Sequence, residues 1–119
     1  MDEKLAWIIE DDTNLSKIFS EAVKQAGFQV EAFLSGDLVV QSLSSGNPQL
    51  IVLDLHIPQI SGVELLRLIR LSPNLAGTTV IMATADPLLA DLHREQADIV
   101  LIKPVSFGQL RDLAVRLAR

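Results

Sequence analysis

Four short apolar runs along the chain each end in a polar residue of a different kind. Leu5-Ala6-Trp7-Ile8-Ile9 runs into Glu10-Asp11-Asp12, and Leu50-Ile51-Val52-Leu53 runs into Asp54. Val80-Ile81-Met82-Ala83 runs into Thr84, and Ile99-Val100-Leu101-Ile102 runs into Lys103-Pro104. Continuous apolar runs of this length between turn signals predict buried strands. A further strand is predicted over Phe28 to Phe33.

Between the runs the pattern changes to a helical period. Leu15, Ile18, Phe19, Ala22, Val23 and Ala26 share one helix face, and Gly27 stops that helix. Ser35 to Ser44 reads as a weaker helix closed by Gly46-Asn47-Pro48. Ser61-Gly62-Val63-Glu64 has the form of a capping box and opens a helix to about Leu71. The fourth strand then runs from about Thr79 to Thr84. Asp86-Pro87 is an N-cap followed by proline at the first helical position, opening a helix to about Glu95. Ser106-Phe107-Gly108-Gln109 opens the last helix, whose stripe is Leu110, Leu113, Ala114 and Leu117.

Five strands alternating with five helices predict an α/β domain with a parallel sheet covered on both faces. Right-handed crossovers make a doubly wound fold the natural solution. Ligands of such sheets bind outside the carboxyl ends of the strands. An acid pair, a lone carboxylate, a hydroxyl and an ammonium are therefore expected to converge there.

Length and charge narrow the picture. The 119 residues suffice for one domain, spanning 1–119, and the hydrophobic fraction of 49% supports a substantial core. The net charge of −5 argues against direct nucleic-acid binding by this domain. The chain has no cysteine, so thiolate metal sites, disulfides and cysteine nucleophiles are excluded. No apolar run is long enough for a membrane span. Met1-Asp2-Glu3-Lys4 does not have the form of a signal peptide. A cytoplasmic location is the expectation.

Bringing Glu10, Asp11 and Asp54 together is costly. Two like charges about 4 Å apart repel by roughly 4 kcal/mol at an effective dielectric near 20. A bound cation relieves this, and an all-oxygen donor set points to a hard divalent ion, Mg²⁺ above others. With Lys103 adding positive charge and Thr84 a hydroxyl, the predicted site suits a phosphoryl group, and Asp54 is the candidate nucleophile. Each residue also has a plainer reading. Thr84 is an ordinary β-branched strand residue, Lys103 can end a strand in solvent, and Trp7 is most simply core. Their joint placement at one sheet edge favours the functional reading.

On these residues the whole chain resembles a response regulator receiver domain. The matching elements are Glu10-Asp11, Asp54 followed by Ile57-Pro58 and Ser61-Gly62, Thr84-Ala85, and Lys103-Pro104. None is specific alone, but the ordered set is. The resemblance implies a flavodoxin-like strand order 2-1-3-4-5. It implies phosphotransfer from a histidine kinase or phosphotransfer protein to Asp54, switching a downstream effector or fused output domain. Mg²⁺ would be held by Asp11, Asp54 and the main-chain carbonyl of His56, with Glu10 assisting through water. Thr84 and Lys103 would serve the phosphoryl group, and the Lys103–Pro104 peptide would be cis. The His56 side chain and Asp86 would lie where the family modulates phosphoryl lifetime. Such a domain is a switch rather than an enzyme in the ordinary sense, and the resemblance permits a homodimer. Leu15 lies four residues beyond Asp11, which favours Glu10-Asp11 over the alternative Asp11-Asp12 as the acid pair of the family and leaves Asp12 to the helix start.

The chain departs from the family where receivers usually carry an aromatic three residues before the lysine. Here that position is Val100, so signalling through an inward-turning aromatic is not available. Val105 stands where Phe is frequent, and the stretch from Thr84 to Lys103 is about one helical turn short. The alternative function is a receiver-like interaction module that works without phosphorylation. A haloacid-dehalogenase-type phosphatase would need Asp at position 56, which is His. A flavin-binding loop would be repelled by Glu10-Asp11-Asp12, and a glycine-rich phosphate loop is absent.

Overall fold

The computed structural model describes residues 4–57 and 59–119. Pro58 of the expected Ile57-Pro58 pair, and the first three residues, lie outside the described residues. The elements follow in strict alternation: β1 (Leu5–Ile9), α1 (Thr13–Gln25), β2 (Gln29–Phe33), α2 (Gly36–Val40), β3 (Leu50–Asp54), α3 (Gly62–Leu71), β4 (Thr79–Thr84), α4 (Pro87–His93), β5 (Ile99–Ile102) and α5 (Phe107–Leu117). Single 3₁₀ turns follow α3 at Pro73–Leu75 and α4 at Arg94–Gln96. All strand pairs are parallel, and the sheet order is β2-β1-β3-β4-β5, as expected.

Strand side chains alternate between faces. Ala6, Ile8, Leu50, Val52 and Ile81 pack with Phe19, Ala22 and Val23 of α1 and Leu110 and Ala114 of α5. Trp7, Ile9, Ile51, Leu53, Val80 and Met82 pack with Val39 of α2, Leu65, Leu66 and Ile69 of α3, and Ala90 of α4. Because both faces are covered, both phases of each central strand are apolar, and the runs read as continuous. Trp7 is core, as expected, and meets Phe33 edge-on at a centroid distance of 5.4 Å.

Local signals set the helix ends. The Asp12 carboxylate accepts from Leu15 N at 3.0 Å and caps α1. Gly27, at φ +105°, ends it in a conformation costly to residues with a β-carbon. Asp86 caps α4 through Leu88 N and Leu89 N, with Pro87 first in the helix. The Ser61 and Ser106 hydroxyls accept from Glu64 N and Gln109 N. The Ser61 box is one-sided, because the Glu64 carboxylate pairs with Arg67 instead of returning to Ser61. Two helices are shorter than expected. α2 ends at Val40 and gives way to turns, and Asn74 Nδ2 donates to Leu43 O and Gly46 O, both at 2.7 Å. After Val40 the bonds tighten to i→i+3, Ser42 N to Val39 O and Leu43 N to Val40 O, and the Asn74 amide holds the turns that follow. α4 ends at His93 and tightens into its 3₁₀ turn, whose Gln96 carbonyl is held by Arg70 Nε at 2.6 Å.

Candidate functional site

Alternation explains why three charged residues converge. Glu10 continues the Ala6–Ile8 phase of β1, Asp54 the Leu50–Val52 phase of β3, and Lys103 the Ile99–Leu101 phase of β5. All three therefore leave the sheet on the α1/α5 side, at its carboxyl edge. Lys103 Nζ lies 2.7 Å from Glu10 Oε1 and 3.3 Å from Asp54 Oδ2. Carboxylate oxygens of Glu10, Asp11 and Asp54 all fall within 4.8 Å of one another. Glu10 and Asp54 are buried, while Asp11 is exposed. Asp54 Oδ1 accepts from His56 N at 3.0 Å, and the His56 side chain points to solvent.

Two buried carboxylates thus share one ammonium, and the surplus negative charge shows at Glu10. Burial, reinforced by neighbouring Asp54, pushes the Glu10 carboxyl up to about 7, against the pull of Lys103. Burial alone would lower the Lys103 ammonium, but Glu10 and Asp54 outweigh it and hold it above its ordinary value. One more positive charge at this edge would balance the site. Three oxygen donors with no sulfur or nitrogen among them fit a hard divalent cation.

Thr84 ends β4 beside β3, where Asp54 pairs in register with Ala83. It is fully buried, and its Oγ1 accepts from Asp86 N at 3.1 Å. The Lys103–Pro104 peptide is cis, as expected. Beside it an apolar groove of about 310 Å³ opens between Leu15, Phe19, Ala85, Lys103, Pro104 and Val105. Val100 faces the opposite side from Lys103 and packs on the core that contains Met82, its register partner.

Some features of the site lay outside the sequence reading. Gly62 packs directly on the Leu55 backbone, and a β-carbon there would overlap Leu55 Cα. The Ser61-Gly62 pair signalled a helix start but not this contact. Gln59 lies in the left-handed region at φ 76°, which no residue pattern around it announced. The Thr84–Asp86 bond joins the candidate hydroxyl to the cap of α4, and only the two-residue spacing hinted at it.

Comparison with known proteins gives the family and the fold. The family model for the response regulator receiver domain matches residues 6–115. The phosphate regulon transcriptional regulatory protein PhoB of Rhizobium meliloti is 32% identical over 106 residues, which are 87% of this chain and 47% of that protein. The DNA-binding transcriptional regulator NtrC of Klebsiella pneumoniae is 27% identical over 72% of this chain and 18% of its own length. The chain thus spans less than half of these curated relatives. Among solved structures, the BeF3-activated DrrB receiver domain superposes with a TM-score of 0.86 at 27% identity, covering 98% of both chains. The chemotaxis response regulator CheY4 of Vibrio cholerae gives a TM-score of 0.86 over 98% of this chain and 99% of its own, at 19% identity, a likeness of fold alone. The chain belongs to the response regulator receiver domain family of two-component signalling systems.

Proposed function

We propose that residues 1–119 form a single receiver domain that accepts a phosphoryl group on Asp54 from the phosphohistidine of a kinase or phosphotransfer protein, as a cytoplasmic switch for an effector or output domain. The observation that carries this is the buried Asp54 carboxylate at the end of β3, which shares the Lys103 ammonium with Glu10 and lies within 4.8 Å of Glu10 and Asp11 oxygens. An Asp54 oxygen attacks phosphorus, the new O–P bond forms as the P–N bond breaks, and the leaving imidazole keeps the nitrogen electron pair. Lys103 would stabilise charge on the transferring oxygens, and Thr84 would donate its hydroxyl to one of them. Asp11, Asp54 and the His56 carbonyl would hold Mg²⁺, with Glu10 assisting through water. The ion would supply charge neutralisation for the incoming phosphoryl oxygens. The apolar groove beside Lys103 offers the donor protein a surface next to the acceptor.

No helix among the described residues is long and apolar enough to cross a membrane. The acidic balance of the chain keeps direct nucleic-acid contact out of the proposal.

The test is intact mass after incubation with acetyl phosphate, with and without Mg²⁺, for wild type and Asp54→Ala. A Mg²⁺-dependent gain of one phosphoryl group, about 80 Da, in wild type only supports the assignment. Undiminished uptake by Asp54→Ala refutes it. No uptake by folded wild type, from acetyl phosphate or from a cognate kinase, favours the phosphorylation-independent module.

A further inference from the structure

We propose that Gly36, the first residue of α2, is a positioning residue that seats the β3–α3 loop through Ile60 and thereby holds the main chain beyond Asp54 in place. The inference rests on the reading of Asp54 as the phosphoacceptor. Gly36 is buried, and a β-carbon on it would overlap Ile60 Cγ2 and stand 3.0 Å from Ile60 O and 3.2 Å from Ile57 Cδ1. The missing side chain of Gly36 is thus the space that Ile60 occupies.

The loop needs such a seat. Gln59, next to Ile60, sits at φ 76°, a conformation that surrounding contacts must hold for a residue with a β-carbon. The loop is bound at its two ends by His56 N to Asp54 Oδ1 and by Gly62 N to Leu55 O at 3.1 Å. Both anchors lie next to the acceptor, so a displaced Ile60 would disturb the group that orients Asp54. α2 has only five residues, and its Ser35 hydroxyl donates to Asp37 rather than capping the helix. A helix this short is placed by packing and not by its own stability. Glycine at its first position lets α2 and the loop meet backbone to side chain.

The experiment is a double-mutant cycle on Gly36→Ala, Ile60→Ala and the pair. Two quantities are read: amide exchange at His56 and Gly62, and Mg²⁺ affinity by calorimetry. Urea unfolding gives the stability of each variant. Gly36→Ala pushes Ile60 out, and Ile60→Ala leaves the seat empty. Each single variant should lose about tenfold in His56 and Gly62 protection and in Mg²⁺ affinity, while β1 amides exchange as in wild type. The pair should recover most of both, because the alanine methyl at position 36 refills the seat, even though its stability stays below wild type. Ile60 is partly exposed, so Ile60→Ala keeps the test decisive if Gly36→Ala does not fold. Wild-type protection in both single variants, or a pair no better than the worse single, overturns the proposal. Affinity and protection that simply follow global stability overturn it too. If wild type neither binds Mg²⁺ nor takes up phosphoryl groups, the phosphoacceptor reading fails, and the exchange data still decide the seat.

Discussion

Replacing Lys103 by Met removes the ammonium but keeps the length of the stem. In the folded chain that ammonium lies 2.7 Å from Glu10 and 3.3 Å from Asp54. With Glu10 ionised, at a pH above the value of about 7 to which it is pushed, the raw attractions at an effective dielectric near 20 are about 6 and 5 kcal/mol, before any desolvation is charged against them. Breaking a buried pair by removing one partner typically costs about 3–5 kcal/mol. The Lys103 side chain is 18% exposed, so water reaches the site and the lower end applies. We therefore expect Lys103→Met to lose about 3 kcal/mol of stability without divalent cations. Mg²⁺ should return much of it, because a dication at Glu10, Asp11 and Asp54 supplies the charge that was removed. The Mg²⁺-induced gain should exceed that of wild type by at least about 1.4 kcal/mol, equivalent to a tenfold tighter binding. Phosphoryl uptake should fall by about 100-fold despite the tighter metal, since one stabilising group is lost. Trp7 is the single tryptophan and is buried, so urea unfolding followed by its fluorescence, with and without Mg²⁺, reads the first two quantities. Equal stability of the two proteins in EDTA, or equal Mg²⁺ increments, would refute the electrostatic account of the site.

Further perturbations test the frame around it. Burial pushes the Asp98 carboxyl up, but the Val80 amide at 2.7 Å and the Arg70 guanidinium at 3.0 Å outweigh it and hold it below the ordinary carboxylate value. Its contribution is therefore complete above the unfolded value near 3.9 and is lost as pH falls through the folded one. Asp98→Asn should cost about 1 kcal/mol at pH 7, allowing for exposure of the pair, and the gap to wild type should close toward pH 3 in urea titrations. A gap that is the same at both pH values rules this out. Gly62→Ala should cost about 2–3 kcal/mol, because the new methyl meets the Leu55 backbone, which cannot rotate away. A loss under about 0.5 kcal/mol would mean that the loop yields freely.

The sheet was legible because each central strand is apolar in both phases, which leaves a run that no surface helix would show. The site was legible for a related reason. Glu10, Asp54 and Lys103 are the first polar residues after such runs, and a parallel sheet brings the ends of its strands together. What the sequence could not display was contact between residues far apart in it. The turns that follow α2 are held by Asn74, more than 30 residues on, which donates to the Leu43 carbonyl. Gly36 reads only as an early residue of a weak helix, and nothing near it in the sequence points to Ile60 in its space. Glu64 could equally cap Ser61 or pair with Arg67, both three residues away, and spacing alone does not decide between them. The cap of α4 was readable because Asp86-Pro87 encodes it locally, whereas the 3₁₀ turn that follows the helix is held by Arg70 from α3.

Val100 leaves the question of how a signal leaves the site, and the Thr84–Asp86 bond suggests a route. Val100 is wedged against the core beside Met82, so no ring is available to turn. The Thr84 oxygen accepts the Asp86 amide, and the Asp86 carboxylate in turn caps α4. A phosphoryl group on Asp54 that draws the Thr84 hydroxyl toward itself weakens that bond and moves the cap. A cap of this kind stabilises a helix by about 1 kcal/mol, roughly a fivefold change in the population of the frayed state. α4 has only seven residues and exposes Leu88 and Leu92 at 69% each, so it has little else to hold it. Phosphorylation should therefore raise amide exchange in α4 by about fivefold, most clearly at Ala90, whose N–H donates to Asp86 O. Exchange in α1 should be unchanged. Thr84→Ala should still take up phosphoryl groups but lose the α4 response. An α4 that exchanges at the same rate before and after modification, or a full response in Thr84→Ala, would remove this route and leave the β3–α3 loop as the element through which Asp54 acts on its surroundings.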